Sequence, residues 1–83
     1  MLYRVFLVYD IVEDRARGKI ADACKDYGLD RVQYSAFTGL LSPNQQDSLM
    51  LEIESLLGDG AGHIALFPIS RRDWDNRLEV MHD

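Results

Sequence analysis

The sequence predicts a single α+β domain in the order β-α-β(β)-α-β, and three observations carry that reading. The chain opens on an apolar run, Leu2 to Ile11, rich in β-branched and aromatic residues. Two segments with helical spacing, beginning at Glu13 and at Pro43, alternate with extended ones. A second apolar run, His63 to Ile69, closes the pattern.

Each element has a local reason. Leu2 to Ile11 has the length and composition of a buried central strand. From Glu13 to Tyr27, the apolar residues Ala16, Ile20, Cys24 and Tyr27 recur at helical intervals and make one face. Glu13 and Asp14 in the first turn complement the helix dipole, and Gly28 suits the position just past the last turn. Gly18 costs the helix interior about 1 kcal/mol relative to Ala, so pattern rather than propensity predicts this helix. Arg31 to Leu41 is extended, with Val32, Tyr34 and Ala36 on one face and Gln33, Ser35 and Phe37 on the other. One bent strand and two short strands fit it equally.

Ser42-Pro43-Asn44-Gln45 starts a second helix: Ser42 can cap, Pro43 fits the first helical position and Gln45 completes a capping box. Leu49, Ile53, Leu56 and Leu57 form its apolar stripe, and Gly58-Asp59-Gly60-Ala61-Gly62 ends it. Pro68 restricts the far end of the last strand to an edge or a bulge. The element order is the split βαβ pattern of a ferredoxin-like sandwich spanning residues 1–83. The tail from Arg71 to Asp83 keeps Trp74, Leu78, Val80 and Met81, so it is expected to dock as an extra strand, on its own sheet or at a dimer interface.

A chain of 83 residues buries only about 60% of the surface its unfolded form exposes, which favours oligomerisation. No apolar run reaches the ~20 residues of a membrane span, and no signal-peptide pattern opens the chain. Cys24 is the only cysteine, which excludes an internal disulfide and fits a reducing cytoplasm. The net charge of −5 comes wholly from the second half. Residues 1–40 balance Arg4, Arg15, Arg17, Lys19, Lys25 and Arg31 against six acids, whereas residues 41–83 set Arg71, Arg72 and Arg77 against eight. A local arginine cluster can contact phosphates whatever the total charge.

Asp10 is the residue that most needs explaining. Asp is depleted in strands, and an ionised carboxylate at the end of an apolar one requires a helix N-terminus, an arginine or a metal. A single chain offers one such carboxylate unless Glu13 or Asp14 leaves the helix start. Twofold symmetry would duplicate Asp10, and two facing carboxylates would repel unless they share an ion or a proton. Arg15, Arg17 and Arg31 can hold a phosphodiester. Arg15 and Lys19 lie one turn apart near Asp22 and Asp26, an ion-paired surface pattern, so Arg17 is the better phosphate candidate. The structural alternatives are a capping role for Asp10, core-edge packing for Tyr9 and cross-strand packing for Phe37.

Tyr9-Asp10-Ile11, Asp14 and Arg15, Asp26-Tyr27-Gly28-Leu29, Arg31-Val32-Gln33, Ser35-Ala36-Phe37 and Gly39 occur in the order that resembles the CRISPR-associated protein 2 family. The resemblance is detailed over the first half and extends to the whole in length and element order. It implies a homodimer in which the two Asp10 side chains face each other and share one Mg²⁺ or Mn²⁺. It implies catalytic roles for Asp10 and Tyr9 and nucleic-acid contacts from Arg15, Arg17, Arg31, Ser35 and Phe37. It also implies a partner, the integrase CRISPR-associated protein 1, and RNA or DNA as ligand. Three functions follow: a metal-dependent endonuclease, a non-catalytic adaptor bridging integrase dimers during spacer integration, and a ribonuclease toxin of the related VapD type. His63, His82 and Cys24 show no metal-ligand spacing, and the glycine-rich turn at 58–62 precedes a strand rather than a helix, so it is read as a turn and not as an anion loop.

Overall fold

A computed structural model describes residues 1–82 as β1 (Tyr3–Ile11), α1 (Asp14–Asp26), β2 (Asp30–Gln33), β3 (Ala36–Leu41), α2 (Pro43–Leu57), β4 (Gly62–Ile69) and α3 (Arg71–Asp75). The strands form one sheet in the order β2-β3-β1-β4, with every neighbouring pair antiparallel. That is the predicted ferredoxin-like α+β architecture, with α1 and α2 packed on one face of the sheet.

β1 is central because its side chains alternate. Val5, Leu7, Tyr9 and Ile11 are buried against the helices, while Arg4, Phe6, Val8 and Asp10 lie on the opposite, open face. Phe37 and Leu41 of β3 join the same core, with Ile20 and Cys24 from α1 and Leu49 and Ile53 from α2. Thr38, the one buried polar residue among those described, donates its hydroxyl to the Val5 carbonyl at 2.8 Å. That satisfies a group which would otherwise be costly to bury.

The helix ends are specified locally. Glu13 caps α1 by accepting from the Arg15 and Ala16 amides. Its far end is a Schellman motif: the Leu29 amide donates to the Cys24 carbonyl at 3.1 Å and the Gly28 amide to the Lys25 carbonyl at 2.9 Å, with Gly28 at φ 82°. At α2 the capping box is complete, with the Ser42 amide donating to Gln45 Oε1 at 2.8 Å and the Gln45 amide to Ser42 Oγ at 3.2 Å.

The extended segment 31–41 is two strands. Tyr34-Ser35 forms a tight turn with no positive φ, and the pairing shifts register between Arg31 and Gln33, which makes Val32 a bulge. The alternation expected of one continuous strand is broken there. Pro68 lies on β4, an edge strand, as its missing N–H requires.

Of the two places expected for the tail as an extra strand, its own sheet and a dimer interface, a single chain bears only on the first. Within this chain it adds no fifth strand among the described residues. Ser70 caps the short helix α3 by accepting from the Asp73 amide at 3.0 Å, and residues 76–82 have no regular secondary structure. The sequence signal for that cap, Ser70-Arg71-Arg72-Asp73, outweighs the strand propensity of the residues beyond it. Trp74 docks on the open face, with the Arg4 guanidinium 4.5 Å and the Arg77 guanidinium 4.1 Å from its ring centre. Asp83 lies outside the described residues.

Close packing of the α1–β2 turn on β3 gives a direct test. A Cβ on Gly39 would stand 2.6 Å from Leu29 Cδ2 and 3.3 Å from Leu29 Cα. Gly39→Ala is therefore expected to lower the unfolding free energy by about 1–3 kcal/mol, measured by urea titration, whereas Gly18→Ala, with open space around it, should not destabilise.

Candidate nucleic-acid interface and metal half-site

Successive residues of β1 point to opposite faces, and this separates the two residues expected to act together. Tyr9 is buried among the helices; Asp10 is exposed on the open face. Directly across β4, His63 is the register partner of Asp10 and is also exposed. Strand pairing alone sets this residue opposite Asp10 on the same face, with no ion pair between the two side chains among the described residues, and no sequence spacing pointed to it.

The acidic residues that follow Asp10 are committed elsewhere. The Glu13 carboxylate caps α1, and the Asp14 carboxylate pairs with Arg17. Among the described residues, no three His, Cys, Asp or Glu side chains converge to hold a metal. One chain thus supplies one free strand-end carboxylate with an imidazole neighbour. Mg²⁺ typically takes one or two carboxylates and keeps several waters, so Asp10 is a donor of the kind a hard cation takes, without forming a complete site by itself.

Arg17 was the better-placed free cation on sequence grounds, and the structure reverses this. Its Nη1 donates to the Ile11 carbonyl at 2.9 Å and its Nη2 pairs with Asp14. Hydrogen bonding to Asp14 raises its pKa further. Arg17 therefore ties α1 to the end of β1. Arg15 and Lys19 make no ion pair among the described residues, so Arg15 is an exposed free cation. The reason is geometric: Asp14 lies three residues before Arg17 on the helix, and the Ile11 carbonyl lies just beyond it.

Arg17 forms one wall of a cleft between α1 and the β2–β3 turn. The cleft has a volume of about 380 Å³ and is lined by Tyr9, Arg17, Gly18, Ala21, Arg31 and Tyr34, with Asp14 at its edge. Arg31 lies 5.1 Å from the Phe37 ring centre and 5.8 Å from that of Tyr34, and Arg17 lies 5.9 Å from Tyr34. Tyr9 and Phe37 stack with ring centres 6.2 Å apart. Phe37 is fully buried, so its ring packs in the core and presents no face to solvent. Ser35 occupies the turn, where its carbonyl accepts from the Tyr9 amide at 3.0 Å. Tyr9 Oη is buried with no hydrogen-bond partner, the only such side-chain atom among the described residues. An unsatisfied buried hydroxyl costs about 1–3 kcal/mol.

Of the expected site residues, the structure brings Tyr9, Arg17, Arg31 and Phe37 together, with Ser35 at the turn behind them. Asp10 stands apart on the other face. Tyr34, which the sequence placed only on a strand face, is 71% exposed and completes the cleft. Its exposure depends on the turn, which carries neither Gly nor Asn to announce it.

Fold and surfaces together define a small ferredoxin-like domain with a strand-end carboxylate on its open face and an arginine–tyrosine cleft at one edge. The family model of CRISPR associated protein Cas2 matches residues 1–77, and the chain belongs to that family. A relative from Chloroflexus aurantiacus described as CRISPR-associated endoribonuclease Cas2 2 is 44% identical over 79 residues, 93% of each chain. A Cas1/Cas2 endonuclease fusion from Thermoproteus tenax is 36% identical over 76 residues, which are 92% of this chain and 29% of the fusion. Among solved structures, a hypothetical protein from Thermus thermophilus superposes with a TM-score of 0.82 at 28% identity, covering 100% of this chain and 94% of that one. Streptococcus pyogenes Cas2 shares the fold, with a TM-score of 0.79 at 21% identity over 95% and 99% of the two chains.

The wholly buried Cys24 gives a pH-dependent test. Burial pushes its thiol up to about 11, and the charge of Arg31 opposes that shift. The unfolded thiol titrates near ~8.5. Between those values the native state keeps a proton that the unfolded chain has lost, so stability falls as pH rises through that window. Urea midpoints from pH 8 to 11 should fall more steeply for the wild type than for Cys24→Ala.

Proposed function

We propose that this protein is a nucleic-acid-binding homodimer of CRISPR spacer acquisition, acting in the cytoplasm, which cuts phosphodiester bonds of RNA or DNA with Mg²⁺ or Mn²⁺ shared between two Asp10 side chains. The observation that carries the reading is Asp10 itself, an exposed carboxylate at the end of the central strand whose acidic neighbours are both engaged in capping and pairing. Relatives described as endoribonucleases support the reaction class.

The open face favours a second copy. Leu40 and Phe67 on it are about half exposed, and Leu78, Val80 and Met81 of the tail are nearly fully exposed. The tail and sheet bound a groove of about 600 Å³ that includes Phe6, Val32, Thr38, Ile69 and Trp74. Packing two open faces together would cover this apolar surface and bring the Asp10 residues toward one another.

A bound divalent ion would lower the pKa of a water and stabilise charge on a phosphoryl group. The protein's own residues do the rest. Asp10 would hold the cation, while Arg15 and Arg31, free of acidic partners among the described residues, would attract and orient the diester. Arg17 keeps the β1–α1 junction in place, so that Asp10 and the cleft stay fixed relative to each other.

The adaptor reading has one observation in its favour: the relative in which a Cas2 chain is fused to Cas1, the integrase expected as partner. One pair of assays separates the two. Asp10→Asn is nearly isosteric and should abolish Mg²⁺- or Mn²⁺-dependent cleavage while preserving the dimer, checked by light scattering. Cleavage by the pure variant would rule out the catalytic assignment. If the protein serves only as an adaptor, the variant supports spacer integration with the integrase undiminished.

Binding through phosphates has its own signature. Duplex affinity should fall log-linearly with salt, and Arg15→Ala with Arg31→Ala should reduce the log–log slope by roughly 0.9 for each phosphate no longer neutralised. Affinity should drop by a similar factor for every sequence, because phosphate contacts position rather than specify. Affinity indifferent to salt and to both substitutions would remove the arginines from the interface.

A further inference from the structure

The cleft between α1 and the β2–β3 turn is shaped for something other than a phosphate alone. Its rim carries an exposed aromatic ring, Tyr34, flanked by two guanidinium groups at 5.9 and 5.8 Å. Its inner lining is Gly18, Ala21 and Tyr9, apolar apart from the phenol. Tyr9, a lining residue only 5% exposed, has no hydrogen-bond partner for its enclosed hydroxyl. A phosphate seated on that apolar lining would give up the strong hydration of an anion, whereas a neutral planar heterocycle loses far less by entering it.

We propose that the cleft takes a single unpaired nucleobase, stacked on Tyr34 and hydrogen-bonded at its edge to the Tyr9 hydroxyl, with its attached phosphate on Arg31. The inference rests on the nucleic-acid reading above and names which part of the strand enters the chain.

Three features set the ligand and its orientation. A volume of about 380 Å³ accommodates one base and its phosphate, but not a base pair within a duplex. The charge is asymmetric: Asp14 neutralises Arg17 and projects an exposed carboxylate at that end, while Arg31 has no acidic partner among the described residues. A diester is thus repelled from the Arg17 end and drawn to Arg31. The third feature is order. Arg17 is already held by the Ile11 carbonyl and Asp14, so its guanidinium plane is fixed before a base arrives.

The site should favour single strands without favouring a sequence. Every base has a π-face for Tyr34, and a phenol both donates and accepts, so the Tyr9 hydroxyl suits several base edges. Selectivity comes from whether a base is free to leave its stack.

The test uses the full chain and one oligonucleotide sequence, presented as a single strand, as a blunt duplex and as a duplex with an unpaired overhang, each containing 2-aminopurine. The wild type should quench the probe in the single strand and the overhang but not inside the duplex. Tyr34→Ala, at an exposed position, should weaken single-strand binding roughly 5- to 100-fold and leave blunt-duplex binding unchanged. Tyr34→Phe should restore it. Tyr9→Phe should keep the stacking but weaken single-strand affinity by a smaller factor.

Equal weakening on single strand and duplex, or a probe that stays bright when bound, would overturn the base site while leaving the phosphate reading intact. If the wild type bound no strand at all, the nucleic-acid reading would fall, and a titration with adenosine monophosphate followed by amide NMR would still decide the cleft. Shifts at Gly18, Ala21 and Tyr34 would uphold a base site, and unmoved resonances would reject it.

Discussion

The parity of β1 is the constraint on which the rest depends. Val5, Leu7, Tyr9 and Ile11 must face the helices, because they supply the sheet's share of the core; Arg4, Phe6, Val8 and Asp10 must then face away. A slip of one residue would bury Asp10 under α1 and expose Tyr9, so the apolar set fixes the register that holds the carboxylate in solvent. Neighbouring strands inherit the parity through their pairing. Leu7 opposite Phe37 and Leu66 extends the core face, and Phe6 opposite Thr38 and Phe67 extends the open one. The position of Asp10 is therefore a by-product of packing several residues away, and it needs no local device to keep it exposed.

The same strand end organises the cleft. Where β1 passes into α1, the Ile11 carbonyl is left without a sheet partner on one side and accepts from Arg17. Glu13 turns back to cap the helix, and the Asp14 carboxylate accepts from the other terminal nitrogen, Nη2, of the guanidinium. Two acids and one base thus solve a junction problem, and the consequence reaches the turn between β2 and β3. Arg17 becomes a fixed wall opposite Tyr34, and the cleft forms between them. A charge that reads as available in sequence is consumed by structure, and the cation left available at the cleft, Arg31, is that which the β2–β3 pairing sets opposite Phe37.

Much of the fold was legible because its signals are local. The apolar run of β1, the spacing of Ala16, Ile20 and Cys24, the Ser42–Gln45 capping box and Gly28 past α1 each state a backbone preference that the fold then satisfies. What was illegible is non-local or lacks a marker residue. The Tyr34-Ser35 turn uses no Gly, and a bulge at Val32 absorbs its geometry, so residues 31–41 read equally as one strand. Arg15 and Arg17 exchange roles because the Ile11 carbonyl reaches only one of them. His63 stands beside Asp10 through strand pairing across more than fifty residues of chain, which no spacing rule detects. The α3 cap was the exception, since Ser70 and Asp73 announce it locally and the apolar tail beyond drew the strand reading instead.

Opposite faces also decide how the two proposed activities would be arranged. In a dimer joined through the open faces, the Asp10 residues lie inside, near the dyad, whereas each cleft sits on the helix side of its own sheet edge. A strand held by one cleft therefore reaches the shared cation only by rounding the end of β1, past Val12 and the exposed Arg15. A rigid duplex bends poorly over that distance, while an unstacked strand turns freely about each backbone. Single-strand capture at the cleft and hydrolysis at the dyad are then mutually consistent, because the same flexibility that frees a base for Tyr34 lets the neighbouring phosphate approach Asp10. Duplex lying across the exposed arginines would meet neither the inner cleft nor the dyad carboxylates. The alternation of a single strand is what keeps the two surfaces apart.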